Sequence, residues 1–262
     1  VLRGLVVVDG DVLDLLDAEL VRIAVNPAAL RLSEGQSFLE AMSQELNIGF
    51  FYHDTATTPE KIKGLAARYS SLTAGQTASQ MVSAAGAGSD NTSIWFCTWG
   101  DHATSLIHPE NIPGGITRED KGEQRVLDAA GNPYYVKEEL FQQHVGVAVR
   151  DWRYNARICN IDVSNVAAGS VDLYKFMRKA YYKLQGRRVA KLSGDVPSMG
   201  RTVIYMNRDM LEALDGLATN GGSADNFTRL RPMEIQGEEV MSYRGIPIRE
   251  TDALVNTETV VS

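Results

Sequence analysis

The residues from Pro27 to Phe51 read as one uninterrupted helix, and a rod of that length constrains everything built beside it. Asn26-Pro27 is a good helix start, because proline is tolerated in the first turn. Ser33 and Gln36 have capping-box spacing and offer a second start. Phe38, Leu39, Met42 and Leu46 fall on one helical face. From Pro27 to Phe51 the helix is about 37 Å long at 1.5 Å per residue, longer than most globular helices.

A second constraint lies in the stretch VRDWRYNARICNID, Val149 to Asp162. Val145, Val147 and Val149 place apolar residues at odd positions. After Asp151 the parity flips to Trp152, Tyr154, Ala156 and Ile158. A strand cannot change its buried face without an extra residue, so a bulge or bend is expected at Arg150-Asp151. Beyond it, Asp151, Arg153, Asn155 and Arg157 share the polar face, opposite the aromatics. A base-stacking platform needs both kinds on one surface, so the sheet reading outweighs the nucleic-acid reading. Trp152 and Tyr154 are expected to pack inside the protein.

The rest of the pattern alternates strands and helices. Val6 to Val8 ends a strand, a short helix is expected near Gln76 to Ala85, and Ile94 to Trp99 reads as a buried strand. HPENIPGGI is a loop. Residues 123–140 read as two strands joined at Ala130-Gly131-Asn132. Ser170 caps a helix to Leu184, with Leu173, Phe176, Met177, Ala180 and Leu184 as its apolar stripe and Gly186 past its end. Thr202 to Met206 is a strand, Asn207 caps a helix to Leu217, GGSADN is a loop, and strands follow at Glu239–Tyr243 and Ile246–Glu250. With 262 residues this suits one large α+β domain or two lobes.

The formal charge of -7 excludes a basic nucleic-acid binder by bulk electrostatics. The charge is unevenly spread. Residues 1–60 carry ten acids and three bases, including the run Asp9, Asp11, Asp14, Asp17 and Glu19. Residues 170–191 carry seven bases and one acid. Such asymmetry can guide self-association as readily as it binds a ligand. The bases Lys175, Arg178, Lys179, Lys183, Arg187, Arg188 and Lys191 read as a solvated helix face, a contact with an acidic neighbour, or a phosphate site, in that order.

No reaction centre emerges. His102 and His108 lack a nearby cysteine or glutamate in ligand spacing, so no metal is expected. Cys97 and Cys159 make neither a disulfide framework nor a zinc pattern, and a reducing compartment is expected. GAGSDNTS precedes its strand and lacks the lysine of a phosphate loop. There is no nucleophile elbow. No cofactor and no membrane span are expected. The opening VLRGLVVVDG has no initiator methionine, and a segment upstream of Val1 is expected.

Four stretches together resemble one known family: RLSEGQSFLEAMSQELNIGFFYHDTATTPEKIKGLAARYSSL, GAGSDNTSIWFCTWG, VRDWRYNARICNID and SVDLYKFMRKAYYKL. They resemble the major capsid proteins of tailed bacteriophages, in particular a group from short-tailed phages, from about residue 30 to the C-terminus. The resemblance implies the Hong Kong 97-like capsid fold, with a spine helix at Pro27 to Phe51, a peripheral lobe, an axial lobe and an extended E-loop. It divides the chain into E-loop return and spine helix at 1–60, first axial part at 61–117, peripheral sheet at 118–162, and axial domain at 163–262. That order is permuted relative to the founding member. It places the E-loop before Val1. Relatives tend to carry Gly-Asn where this chain has His53-Asp54.

The resemblance further implies a shell of pentamers and hexamers around double-stranded DNA, held without sequence-specific contacts, and assembled in the host bacterial cytoplasm. Portal, scaffolding and cement proteins are the other expected partners, and no catalytic activity is expected. The candidate subunit-contact residues are Asp151, Arg153, Arg157, Arg178, Lys179 and Lys183. A nanocompartment shell enclosing enzymes is the alternative within the same fold, and a nucleic-acid-binding protein the alternative outside it.

Overall fold

The computed structural model describes residues 2–9, 27–185, 200–219, 230–235 and 237–262. The acids from Asp11 to Glu19, Asn26, Gly186, the bases Arg187, Arg188 and Lys191, and the GGSADN loop lie outside the described residues. In chain order the elements begin with β1 (Leu2–Asp9), α1 (Pro27–Tyr52), β2 (Met81–Ser83), β3 (Asn91–Trp99) and β4 (Thr104–Ile107). Then come β5 (Ile116–Leu127), β6 (Pro133–Gln143), β7 (Gly146–Val149), β8 (Ala156–Asp162), α2 (Val163–Ala167) and α3 (Leu173–Lys183). The last are β9 (Arg201–Met206), α4 (Arg208–Thr219), β10 (Leu230–Ile235), β11 (Glu238–Tyr243) and β12 (Ile246–Glu250). They form two compact units. One is Val1–Lys63 with Ile107–Gly146, and the other is Gly64–Leu106 with Val147–Ser262.

The first unit holds α1 and a three-stranded antiparallel sheet in the order β1-β6-β5. The helix begins at Pro27, so Ser33 lies inside it rather than capping it. Gly35, Leu39, Met42, Leu46 and Gly49 recur at helical spacing and are buried or half-buried. Met42 packs on Phe141 of β6, and a Cβ on Gly35 would already touch that ring at 3.4 Å. Phe38 lies off this stripe and is 37% exposed, contrary to its expected place in the apolar face. The β5–β6 hairpin closes where Asp128 accepts from the backbone N–H groups of Ala130 and Asn132, with Gly131 at φ 86°.

In the second unit the sheet runs β2-β8-β3-β9-β12-β11-β10, and β4 and β7 extend it beyond the end of β3. The central strand β3 is buried from Asn91 to Thr98. Its even residues Ile94 and Phe96 join Ala156 and Ile158 of β8 and Ile204 and Met206 of β9 on one face. That face is covered by Leu173, Met177 and Ala180 of α3 and by Met210 and Leu214 of α4. The odd residues Ser93, Trp95 and Cys97 belong to the other face, where Tyr69 meets Trp95 edge-on at 5.8 Å.

The parity flip has a physical cause. β7 stops at Val149, and Asp151 accepts from the Arg153 N–H to cap a 3-10 turn over Trp152–Tyr154 before β8 begins. Tyr154 is buried as expected, whereas Trp152 is only half-buried. The polar face expected at Asn155 and Arg157 does not exist. From Ala156 to Ile161 every residue of β8 is buried, because β8 has a strand on each side and covered faces above and below. The span 118–162, expected as one sheet, divides: β5 and β6 lie in the three-stranded sheet, β7 and β8 in the larger one.

Two helix boundaries also differ. The expected helix over Gln76–Ala85 is a 3-10 turn at Gln76–Gln80 followed by β2. α3 is capped by Asp172, whose Oδ1 accepts from the Lys175 N–H at 3.3 Å, and not by Ser170. Ser170 is used in closing α2, its N–H bonding the Asn165 carbonyl beside left-handed Gly169 at φ 72°. Asp172→Ala is therefore expected to cost about 1 kcal/mol in urea unfolding, with Ser170→Ala close to neutral. The reverse ranking would return the cap to Ser170.

Candidate subunit-contact surfaces

α3 presents two different faces because its apolar residues recur every three or four positions. Leu173, Met177 and Ala180 turn inward, while Arg178, Lys179 and Tyr182 are exposed. Together with Lys183 these side chains line an open groove of about 580 Å³ against β2, the outermost strand on that side of the sheet. Lys183 Nζ donates to the Ser79 carbonyl at 2.5 Å. Desolvation, then the charge of Lys179, holds its ammonium below the ordinary lysine pKa. Lys179 Nζ also lies 5.7 Å from the Phe176 ring centre.

Beside this groove the guanidinium of Arg244 stands 5.1, 5.4 and 5.6 Å from the rings of Tyr181, Tyr182 and Tyr243. Arg244 and Gly245 form the two-residue turn between β11 and β12, both with positive φ, at 53° and 78°. Sequence reasoning missed this cluster. The signal available was an Arg-Gly pair between two strands, close to the tyrosine pair Tyr181-Tyr182 only in space.

The other candidates separate. Arg153 and Asp151 form a forked pair, Nη2 to Oδ2 at 2.7 Å and Nε to Oδ1 at 3.0 Å, and hydrogen bonds from Arg153 hold the Asp151 carboxyl below its usual pKa. Arg153 is exposed, but its charge is matched within the chain. Arg157 is not a surface residue. It is 4% exposed and donates to Ser93 Oγ at 3.1 Å, to the Tyr69 carbonyl at 2.8 Å and to Glu258 at 2.9 Å. Its guanidinium also lies 5.0 Å from the Trp95 ring centre. Sequence spacing put it with Arg153 on a polar face, whereas the strand on which it sits is interior on both sides.

In the first unit Glu45 accepts from Lys61 Nζ at 2.6 Å and stands 3.2 Å from His53 Nε2. Desolvation, then Lys61, lowers the His53 pKa. The ring of His53 packs over Gly49, where any Cβ would come within 2.5 Å of Nδ1. Asp54 organises the following turn by accepting from the Ala56 N–H. Burial pushes both thiols up, that of Cys159 to about 11, so neither is a poised nucleophile. Among the described residues no cluster of three or more His, Cys, Asp or Glu side chains could hold a metal, and no helix is long and apolar enough to cross a membrane.

The described residues thus form a sheet-and-helix unit with a basic groove at its surface and a unit built on a long helix. The family described as Major capsid protein GP7 matches residues 11–262, and the chain belongs to that family. It is thus a bacteriophage capsid shell protein, a structural part of the virion. A chain in the cryo-EM structure of bacteriophage Epsilon15 is similar over 99% of this chain and 73% of its own length, at 28% identity and a TM-score of 0.70. No curated protein matches.

Proposed function

We propose that this chain assembles into pentamers and hexamers that close an icosahedral shell around double-stranded phage DNA. The observation that carries the reading is membership of the capsid family across nearly the whole chain. The fold supports it. α1 with its own three-stranded sheet fits the spine helix and peripheral lobe of a Hong Kong 97-like subunit, and the larger sheet with α3 and α4 fits the axial lobe. DNA is held without base contacts, consistent with the net charge of -7. Assembly takes place in the host cytoplasm, with portal, scaffolding and cement proteins as further partners.

Electron microscopy of the purified full-length chain, alone and with a scaffolding protein, tests this. Closed shells of uniform diameter are the expected result. Monomers or open aggregates under both conditions would overturn the reading.

A further inference from the structure

We propose that the groove between β2 and α3 is the seat for the acidic segment Asp9–Glu19 of a second copy of this chain. The inference rests on the shell reading, since it names which surface of one copy meets which segment of the next.

Chemical complementarity carries it. The segment reads DGDVLDLLDAE, with five carboxylates, no base, and Val12, Leu13, Leu15 and Leu16 interleaved. The groove has the matching pair of properties: the cationic groups of Arg178, Lys179 and Lys183, and the exposed ring of Tyr182 above the apolar strand β2. A carboxylate entering between Lys179 and Lys183 relieves their mutual repulsion. Lys183 already has one hydrogen bond to Ser79, and its remaining donors can take an acidic partner.

A second copy fits better than nucleic acid. A polyanion would meet a chain of net charge -7, whereas the acidic segment concentrates that negative charge where it meets bases. Each copy also carries one acidic segment and one groove, so successive copies join head to tail, the heterologous arrangement that closes into rings. Single exposed pairs are weak and salt-screened, but they repeat at every contact in an assembly.

The test uses three full-length variants: Lys179→Glu with Lys183→Glu, Asp14→Lys with Asp17→Lys, and all four changes together. Assembly is followed by light scattering at low and high salt and by electron microscopy. Each two-site variant is expected to assemble about tenfold more slowly than the parent at low salt. The four-site variant should recover most of the rate, and a 1:1 mixture of the two-site variants should outpace either alone. Failure of the four-site variant to recover overturns the proposal. Recovery there without recovery in the mixture places the segment on its own chain and also overturns it. If the lysine reversals leave assembly intact and only lower DNA retention, DNA occupies the groove instead. Thermal melts accompany each variant. Should a reversal lower the melting temperature, Lys179→Gln with Lys183→Gln and Asp14→Asn with Asp17→Asn replace it, with slower assembly again expected. A parent that forms no shells, yet associates in a way both reversals weaken and the four-site variant restores, would sink the shell reading and leave this one standing.

Discussion

Arg157→Ala is expected to destabilise the subunit by about 3–5 kcal/mol, the range for breaking a buried ion pair by removing one partner. Arg157 and Glu258 are 4% and 8% exposed, so bulk water does little to screen the pair. The guanidinium serves three acceptors at once, from Ser93, Tyr69 and Glu258, which belong to β3, to the segment beneath it and to the C-terminal region. Without Arg157, Glu258 keeps the Ser93 hydroxyl as a donor but loses its cation, and the Tyr69 carbonyl loses the guanidinium donor. The loss should appear as a lower urea midpoint with little change in slope. Replacing both partners, Arg157→Met with Glu258→Leu, should cost much less, because no buried charge is left alone. A loss below about 1 kcal/mol for Arg157→Ala would mean that the arginine is not buried as described.

Phe96→Ala is expected to be comparably severe, about 3–5 kcal/mol, for a different reason. Phe96 is fully buried and lies opposite Ala156 on one side and Ile204 on the other, in the layer that receives α3 and α4. Flanking residues in paired strands cannot collapse into the space, so a cavity remains. Trp152→Ala should cost less, although the tryptophan is larger, because half-buried Trp152 sits in the 3-10 turn. Chemical unfolding of both variants checks the order, and equal losses would place Trp152 in the core.

The sequence made the regular elements legible where local signals were strong. The helix over Pro27–Phe51 ends one residue later in the structure, and β3, β9, α4, β11 and β12 lie within a few residues of their expected positions. The break near Arg150 was visible in the apolar parity because it is a local event. What spacing could not reveal was which elements flank β8. A strand with neighbours on both edges and cover on both faces can hold an arginine inside, provided that distant residues supply its acceptors. Glu258 lies about a hundred positions away, and nothing local to Arg157 announces it. The basic groove was half legible. Arg178, Lys179 and Lys183 were visible on one helix, but the opposing strand β2 was read as part of a helix.

The wiring of the larger sheet also sets a tempo. Trp95 in the central strand pairs with Arg157 on one side and Tyr205 on the other, so this buried strand waits for partners made much later in the chain. Such distant pairings are slow to form and leave sticky intermediates exposed meanwhile. The larger sheet is therefore expected to complete only once the chain through β9 is available to pair with β3.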